Sequence, residues 1–174
     1  LLFTYFEALL YMAIHKIIYL PDARLRQKNA PIEVFDEKLE ILINDMFETM
    51  YHANGVGLAA PQIGLNIMLT VIDVIGDKSQ QLVLANPEII ASDGSVKSQE
   101  GCLSVPGAFD TVTRSETVTV RAQDRFGKTF EMTGHGLLSH CFQHEIDHLN
   151  GKLFVDHLSP LKRAMAKKKL DKFK

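Results

Sequence analysis

Two histidines four residues apart, His144 and His148, stand in the string Gln143-His144-Glu145-Ile146-Asp147-His148, with a glutamate directly after the first. On a helix, residues at that spacing share a face with Cβ atoms roughly 5–6 Å apart, so both imidazoles can reach one metal ion. Glu145 then lies beside the ion without needing to bind it. That leaves a carboxylate free to move protons for a water molecule, the division of labour that metal-assisted hydrolysis requires. A catalytic site of this type wants a third protein ligand. The common metalloprotease extensions do not supply one: Phe154 stands six residues after His148, where the longer pattern has His, and no glutamate follows Glu145. His140, Cys141 and Cys102 remain. The first two lie four and three residues before His144 and are permitted by spacing. Three ligands on one straight helix, however, spread over about two turns at roughly 1.5 Å per residue. Cys102, in the separate stretch Glu100 to Gly107, can approach from across the site, and read as packing alone it is a small hydrophobe.

A third stretch, Gly55-Val56-Gly57-Leu58-Ala59-Ala60-Pro61-Gln62-Ile63-Gly64, lacks the glycine spacing and the lysine of a phosphate loop. Its small residues suit a backbone that pairs with an extended ligand, and Gln62 offers an amide N–H to an oxyanion.

The elements that must hold these residues are legible in part. Leu137, Leu138, Cys141, Phe142, Ile146 and Leu149 spread apolar surface around a helix from Leu137 that Asn150-Gly151 stops, and such a helix is buried. Histidines and a glutamate in it are costly unless something pairs with them. Asp36 to Tyr51 is predicted to be an amphipathic helix with Asp36 as N-cap and Asn54-Gly55 as its stop. Pro21-Asp22 is read as a turn. Ile67 to Ile75 reads as a mostly apolar strand, and Leu82 to Ala85 and Glu88 to Ala91 as two short strands around Asn86-Pro87. Thr117 to Arg121 and Lys128 to Met132 form a hairpin across Asp124-Arg125-Phe126-Gly127. Ser159-Pro160 opens a terminal helix as N-cap and N1. Strands cluster between helices instead of alternating with them. That predicts an α+β fold, with antiparallel sheets packed around a central metal-binding helix and a C-terminal helix after it.

The chain has 174 residues, 46% of them hydrophobic, and a formal charge of −2, values of a globular chain with a real core. Its two cysteines make no disulfide framework and fit a reducing compartment. From Ser159 onward Lys162, Arg163, Lys167, Lys168, Lys169, Lys172 and Lys174 face Asp171 alone, so the end is basic and the remainder acidic. That is a solvated helix end first, and a surface for RNA second. Leu1 to Tyr11 is an apolar extension without a basic n-region or a small-residue cleavage site, interrupted by Glu7; it reads as neither signal peptide nor membrane span, and Met12 as an ordinary start. Residues 12–174 read as one catalytic domain, its basic helix starting at about Ser159.

Gly55 to Gln62, Glu100-Gly101-Cys102-Leu103-Ser104 and Gln143 to His148, in that order, closely resemble the three signature motifs of the peptide deformylases. The resemblance runs from Met12 to about Lys172. It implies a bacterial-type cytoplasmic hydrolase that removes the formyl group from the formyl-Met of nascent peptides during protein biosynthesis. It further implies that Cys102, His144 and His148 hold one divalent ion, natively Fe²⁺ with Zn²⁺, Ni²⁺ or Co²⁺ as substitutes. Glu145 becomes the general base and acid, with Gln62 and the Leu103 backbone N–H receiving the oxyanion. Val56, Gly57, Leu137, His140 and Cys141 would line the substrate pocket, and Glu100, Arg114 and Asp147 would support the ligands through an Arg-carboxylate pair. His140 departs from the apolar lining that a thioether side chain suits. A basic terminal helix could contact the ribosome; neither DNA nor membrane is expected. Two rival readings are a metallopeptidase acting on unformylated peptides and a non-catalytic, metal-stabilised module with an RNA-binding tail.

Overall fold

The computed structural model describes residues 13–173, and the reading of Leu1 to Tyr11 as an extension lies outside them. A helix α1 (Glu37–His52) comes first, capped by the Asp36 carboxylate, which accepts from the Leu39 amide. It closes at Asn54, which takes a positive φ of 55°. Strands β1 (Gly57–Ala59), β2 (Leu69–Ile72) and β3 (Leu82–Asp93) follow, then β4 (Val96–Gly101), β5 (Phe109–Arg114), β6 (Thr117–Gln123) and β7 (Thr129–His135). The chain ends with α2 (Gly136–Leu149) and α3 (Pro160–Leu170), the latter capped by Ser159 with Pro160 in its first turn. The architecture is α+β, as the order of predicted elements implied. Among the described residues no helix is long and apolar enough to cross a membrane.

Among the described residues every pairing between the named strands is antiparallel. One sheet has the order β1-β2-β3-β6-β7, and β4 and β5 form a separate two-stranded ribbon. Side chains on a strand alternate between faces, and this alternation puts α1 and α2 on opposite sides of the large sheet. Leu69 and Val71 of β2 pack with Ile43, Met46, Phe47 and Met50 of α1. Ile72 and Leu84 pack with Phe142 and Ile146 of α2. A third cluster joins Val105, Val112, Phe154 and Leu158 to Ala166 of α3. Strand β2 is buried on both faces, which is why its sequence, Leu-Thr-Val-Ile, is mostly apolar and shows no clean polar alternation.

Two sequence expectations about strands need correction, and one ribbon lies outside what the sequence predicts. The strand expected over Ile67 to Ile75 is confined to Leu69–Ile72. The two strands expected around Asn86-Pro87 are one, β3, because the chain passes the Asn-Pro pair by a register shift instead of a turn. Asn86 adopts a φ of 51°, and its side chain bonds both the amide and the carbonyl of Ile32 and the Gln123 amide oxygen, so the irregularity is paid in hydrogen bonds. The β4–β5 ribbon went unpredicted: Val-Lys-Ser-Gln-Glu-Gly and Phe-Asp-Thr-Val-Thr-Arg bury few residues, so apolar alternation is faint. That ribbon nevertheless delivers Cys102, at the end of β4, to α2.

Candidate active site

Helix α2 carries His144 and His148 one turn apart, their ring centroids 4.9 Å from each other. Cys102 comes to them from the loop after β4, and the ligating atoms of the three all lie within 4.8 Å of one another. Cys102 Sγ is 3.3 Å from His148 Nε2. For comparison, a sulfur and a nitrogen bound tetrahedrally to one ion at ordinary bond lengths stand roughly 3.6 Å apart. The donor set therefore fits a divalent cation of the iron or zinc type, one thiolate and two imidazoles. The alternatives permitted by spacing are not part of it. His140 turns its Nδ1 to Ser98, and the Cys141 thiol is pushed by burial up to about 12, beyond the range where it ionises at neutral pH.

The ring of His144 is oriented from behind. Its Nδ1 lies 3.0 Å from Glu100 Oε2, which leaves Nε2 for the ligand position. Glu100 is held in turn by a two-pronged pair with Arg114, Nε to Oε1 at 2.8 Å and Nη2 to Oε2 at 3.0 Å. Arg114 reaches on with Nη1 to Asp147 Oδ2 at 2.6 Å, and His157 Nε2 stands 2.7 Å from the same oxygen. Burial alone would raise Glu100, but His144 and Arg114 outweigh it and bring the carboxyl down to about 2. It is thus a fixed anion behind the ligand. Burial pulls His148 the other way, well below the usual imidazole value, so it presents a lone pair and not a proton. His148 Nδ1 is buried with no partner among the described residues.

Glu145 projects from α2 toward β1. A β-carbon at Gly57 would strike its carboxylate, so glycine is required where strand and acid meet. Thr70 Oγ1 stands at a long 3.5 Å from Oε2, and only 4% of Glu145 is exposed. Burial lifts its carboxyl to about 7, against the opposing pull of His144 and Thr70. Gln62 has its amide oriented by the turn it occupies: Oε1 accepts from the Ala59 N–H at 2.9 Å. Its Nε2 therefore faces the other way, donating to Ser104 Oγ at 3.2 Å and reaching Cys102 Sγ at 3.7 Å. Among the described residues the Leu103 backbone N–H has no acceptor. Gln62, Leu103 and Glu145 line one cavity together with Cys102 and His144.

These groups open into a cavity of about 670 Å³. Val56, Gly57, Leu137, His140 and Cys141 line it, Val56 and Leu137 half in solvent. Asp147 and Arg114 stand behind the histidines instead of in the wall. Sequence reasoning missed Ser98, Ser104, Thr70 and His157, all ordinary polar residues whose partners come from distant segments. It also missed Phe109, exposed on the cavity rim.

Residues 14–164 match the family model described as polypeptide deformylase. A peptide deformylase of Hahella chejuensis is 53% identical over 158 residues, covering 90% of this chain and 94% of that protein. One from Chromobacterium violaceum is 51% identical over 161 residues, covering 92% and 96%. Among solved structures, a crystal structure of a peptide deformylase from Legionella pneumophila superposes with a TM-score of 0.91 at 68% identity, covering 92% of this chain and 95% of that one.

Proposed function

The chain belongs to the peptide deformylase family, hydrolases that take the N-formyl group from new peptides, and from that premise we propose how its own residues carry the reaction. The observation that carries the reading is the Cys102, His144 and His148 donor set beside Glu145, whose raised carboxyl suits a group that both takes and returns a proton near neutrality. Cys102 Sγ, His144 Nε2 and His148 Nε2 would hold the ion, Fe²⁺ natively and Zn²⁺, Ni²⁺ or Co²⁺ as substitutes. When bound, it supplies Lewis acidity toward water and the formyl oxygen.

Glu145 accepts the proton of the attacking water as oxygen bonds to the formyl carbon. Gln62 Nε2–H and the Leu103 backbone N–H receive the oxygen that gains charge. Glu145 then passes the proton to the departing nitrogen, the C–N bond breaks, and formate and a free amine leave. The peptide lies extended along the free edge of β1, its first side chain between Val56, Leu137, His140 and Cys141. Glu100, Arg114 and Asp147 keep His144 in its ligating tautomer. The exposed lysines of α3 would meet ribosomal RNA, and the enzyme would then work in the cytoplasm beside the ribosome.

The test is formate release from formyl-Met-Ala-Ser by protein reconstituted anaerobically with Fe²⁺ and, separately, with Zn²⁺. Rapid release that vanishes in Cys102→Ala supports the reaction and the third ligand together, and the ratio between ions names the better metal. Cleavage of an unformylated peptide, with no formate from either preparation, would replace this reading with a peptidase.

A further inference from the structure

The proposed chemistry leaves a polar group in the cavity wall unused. His140 stands on α2 between Leu137 and Cys141, both of which line the same cavity. Its Nδ1 is 3.0 Å from Ser98 Oγ on β4, and its Nε2 is shut off from solvent with no partner among the described residues. The Ser98 hydroxyl makes no other hydrogen bond among the described residues. A hydroxyl has one proton to give and a neutral imidazole has one to place. If Ser98 O–H donates to Nδ1, both groups of this pair are served and the ring proton falls on Nε2. The reverse tautomer leaves the serine proton without an acceptor among the described residues. The assignment follows from this pairing, and it makes Nε2–H a buried donor without a partner among the described residues, on a side chain that lines the cavity.

We propose that the pocket for the first side chain accepts N-formyl peptides whose first residue ends in a strong hydrogen-bond acceptor, methionine sulfoxide foremost, with His140 Nε2–H as the donor. The proposal rests on the deformylase reading and names a substrate class within it. A thioether sulfur is a weak acceptor, and oxidation adds a strongly accepting oxygen at the same place on the chain. In an apolar pocket that oxygen would lose its water and gain nothing, which excludes the oxidised substrate. A donor on the wall replaces the lost water, while Val56 and Leu137 still cover the methylenes. His140 is therefore a specificity residue, and Ser98 the residue that sets its tautomer.

The experiment compares kcat/KM for formyl-Met-Ala-Ser, its methionine-sulfoxide counterpart and formyl-norleucyl-Ala-Ser, on the metal-loaded wild type, His140→Ile and Ser98→Ala. The wild type is expected to turn over the sulfoxide peptide within about tenfold of the thioether peptide. His140→Ile should widen that gap by a further factor of about ten, and the ratio of sulfoxide to norleucine turnover should fall by about the same factor whatever change is common to all three peptides. A gap that stays the same in His140→Ile overturns the proposal. So does a parallel fall for sulfoxide and norleucine, which would mark lost shape and not a lost donor. If His140→Ile does not fold, Ser98→Ala decides: a wider gap supports the donor and an unchanged gap overturns it. A wild type that cleaves only the thioether and norleucine peptides sinks this subsite alone. Formate from none of the three sinks the deformylase reading beneath it as well.

Discussion

Helices α1 and α2 are near equals in length, 16 and 14 residues, and press on opposite faces of the same strands, yet they are held in different ways. Helix α1 follows local rules. It has a bonded N-cap at Asp36, acids in its first turn, and a buried stripe that is mostly apolar. Helix α2 has no side-chain cap bond and no acid in its first turn, and it buries Ser139, Glu145 and His148. Several of its polar groups are satisfied from elsewhere: Glu100 serves His144, Arg114 serves Asp147, and the Ser115 backbone pairs with Ser139 and Gln143. Helix α1 is thus built to be stable, and α2 is kept in place so that it can be reactive. Buried polar groups that would destabilise a free helix are tolerable where distant segments pair with them.

This contrast can be broken from either side. Glu145→Ala should lower kcat by about 10³-fold while leaving metal content by elemental analysis unchanged, since the acid is not among the ligands. Retained turnover would remove the assigned role. Next come two substitutions of similar cost and different consequence. Phe47→Ala, in the α1 core, should destabilise by about 4 kcal/mol in urea titration, with folded protein turning over normally. Arg114→Met should cost a similar ~3–5 kcal/mol by stranding Glu100 and Asp147, and it should also weaken metal affinity in a chelator competition. Equal behaviour of the two in that competition would erase the distinction between the helices.

A smaller effect tests the α1 side by pH. The buried Asp73 carboxylate accepts from the Tyr51 hydroxyl at 2.6 Å and from the Ile75, Gly76 and Lys78 amides. Burial opposes the charge, but these donors together hold the group below its ordinary value. A carboxyl depressed in the folded state contributes stability that is present above its unfolded value and lost as pH falls through the folded one. Asp73→Asn should therefore cost about 2 kcal/mol at pH 7, and the difference from wild type should shrink below about pH 4. A constant difference across that range would show that shape, and not charge, is what Asp73 contributes. Smallest, Asp36→Ala should remove about 1 kcal/mol through the lost cap and leave metal binding untouched.

The helices, the β6–β7 hairpin and the His144–His148 pair were readable in the chain because each is a local pattern: a cap, a period, a spacing of four, or a short motif. The capping residue of α1, the Pro160 start of α3, and His144, Glu145 and His148 on one helix all follow from residues a few positions apart. The β4–β5 ribbon was not readable, because its polar strands gain their pairing from each other and from little else. The choice among His140, Cys141 and Cys102 stood open on spacing alone. The folded ribbon carries Cys102 Sγ to His148 while Ser98 engages His140, a juxtaposition that spacing does not give. The path from His144 through Glu100, Arg114 and Asp147 to His157 joins five residues from four parts of the chain. The sequence by itself determined which chemistry the chain could perform, since reactive groups are chosen residue by residue. Tertiary structure alone decided which of those groups share a site and in what state of charge. Burial and hydrogen-bond partners, which set both, come from segments far apart in the chain.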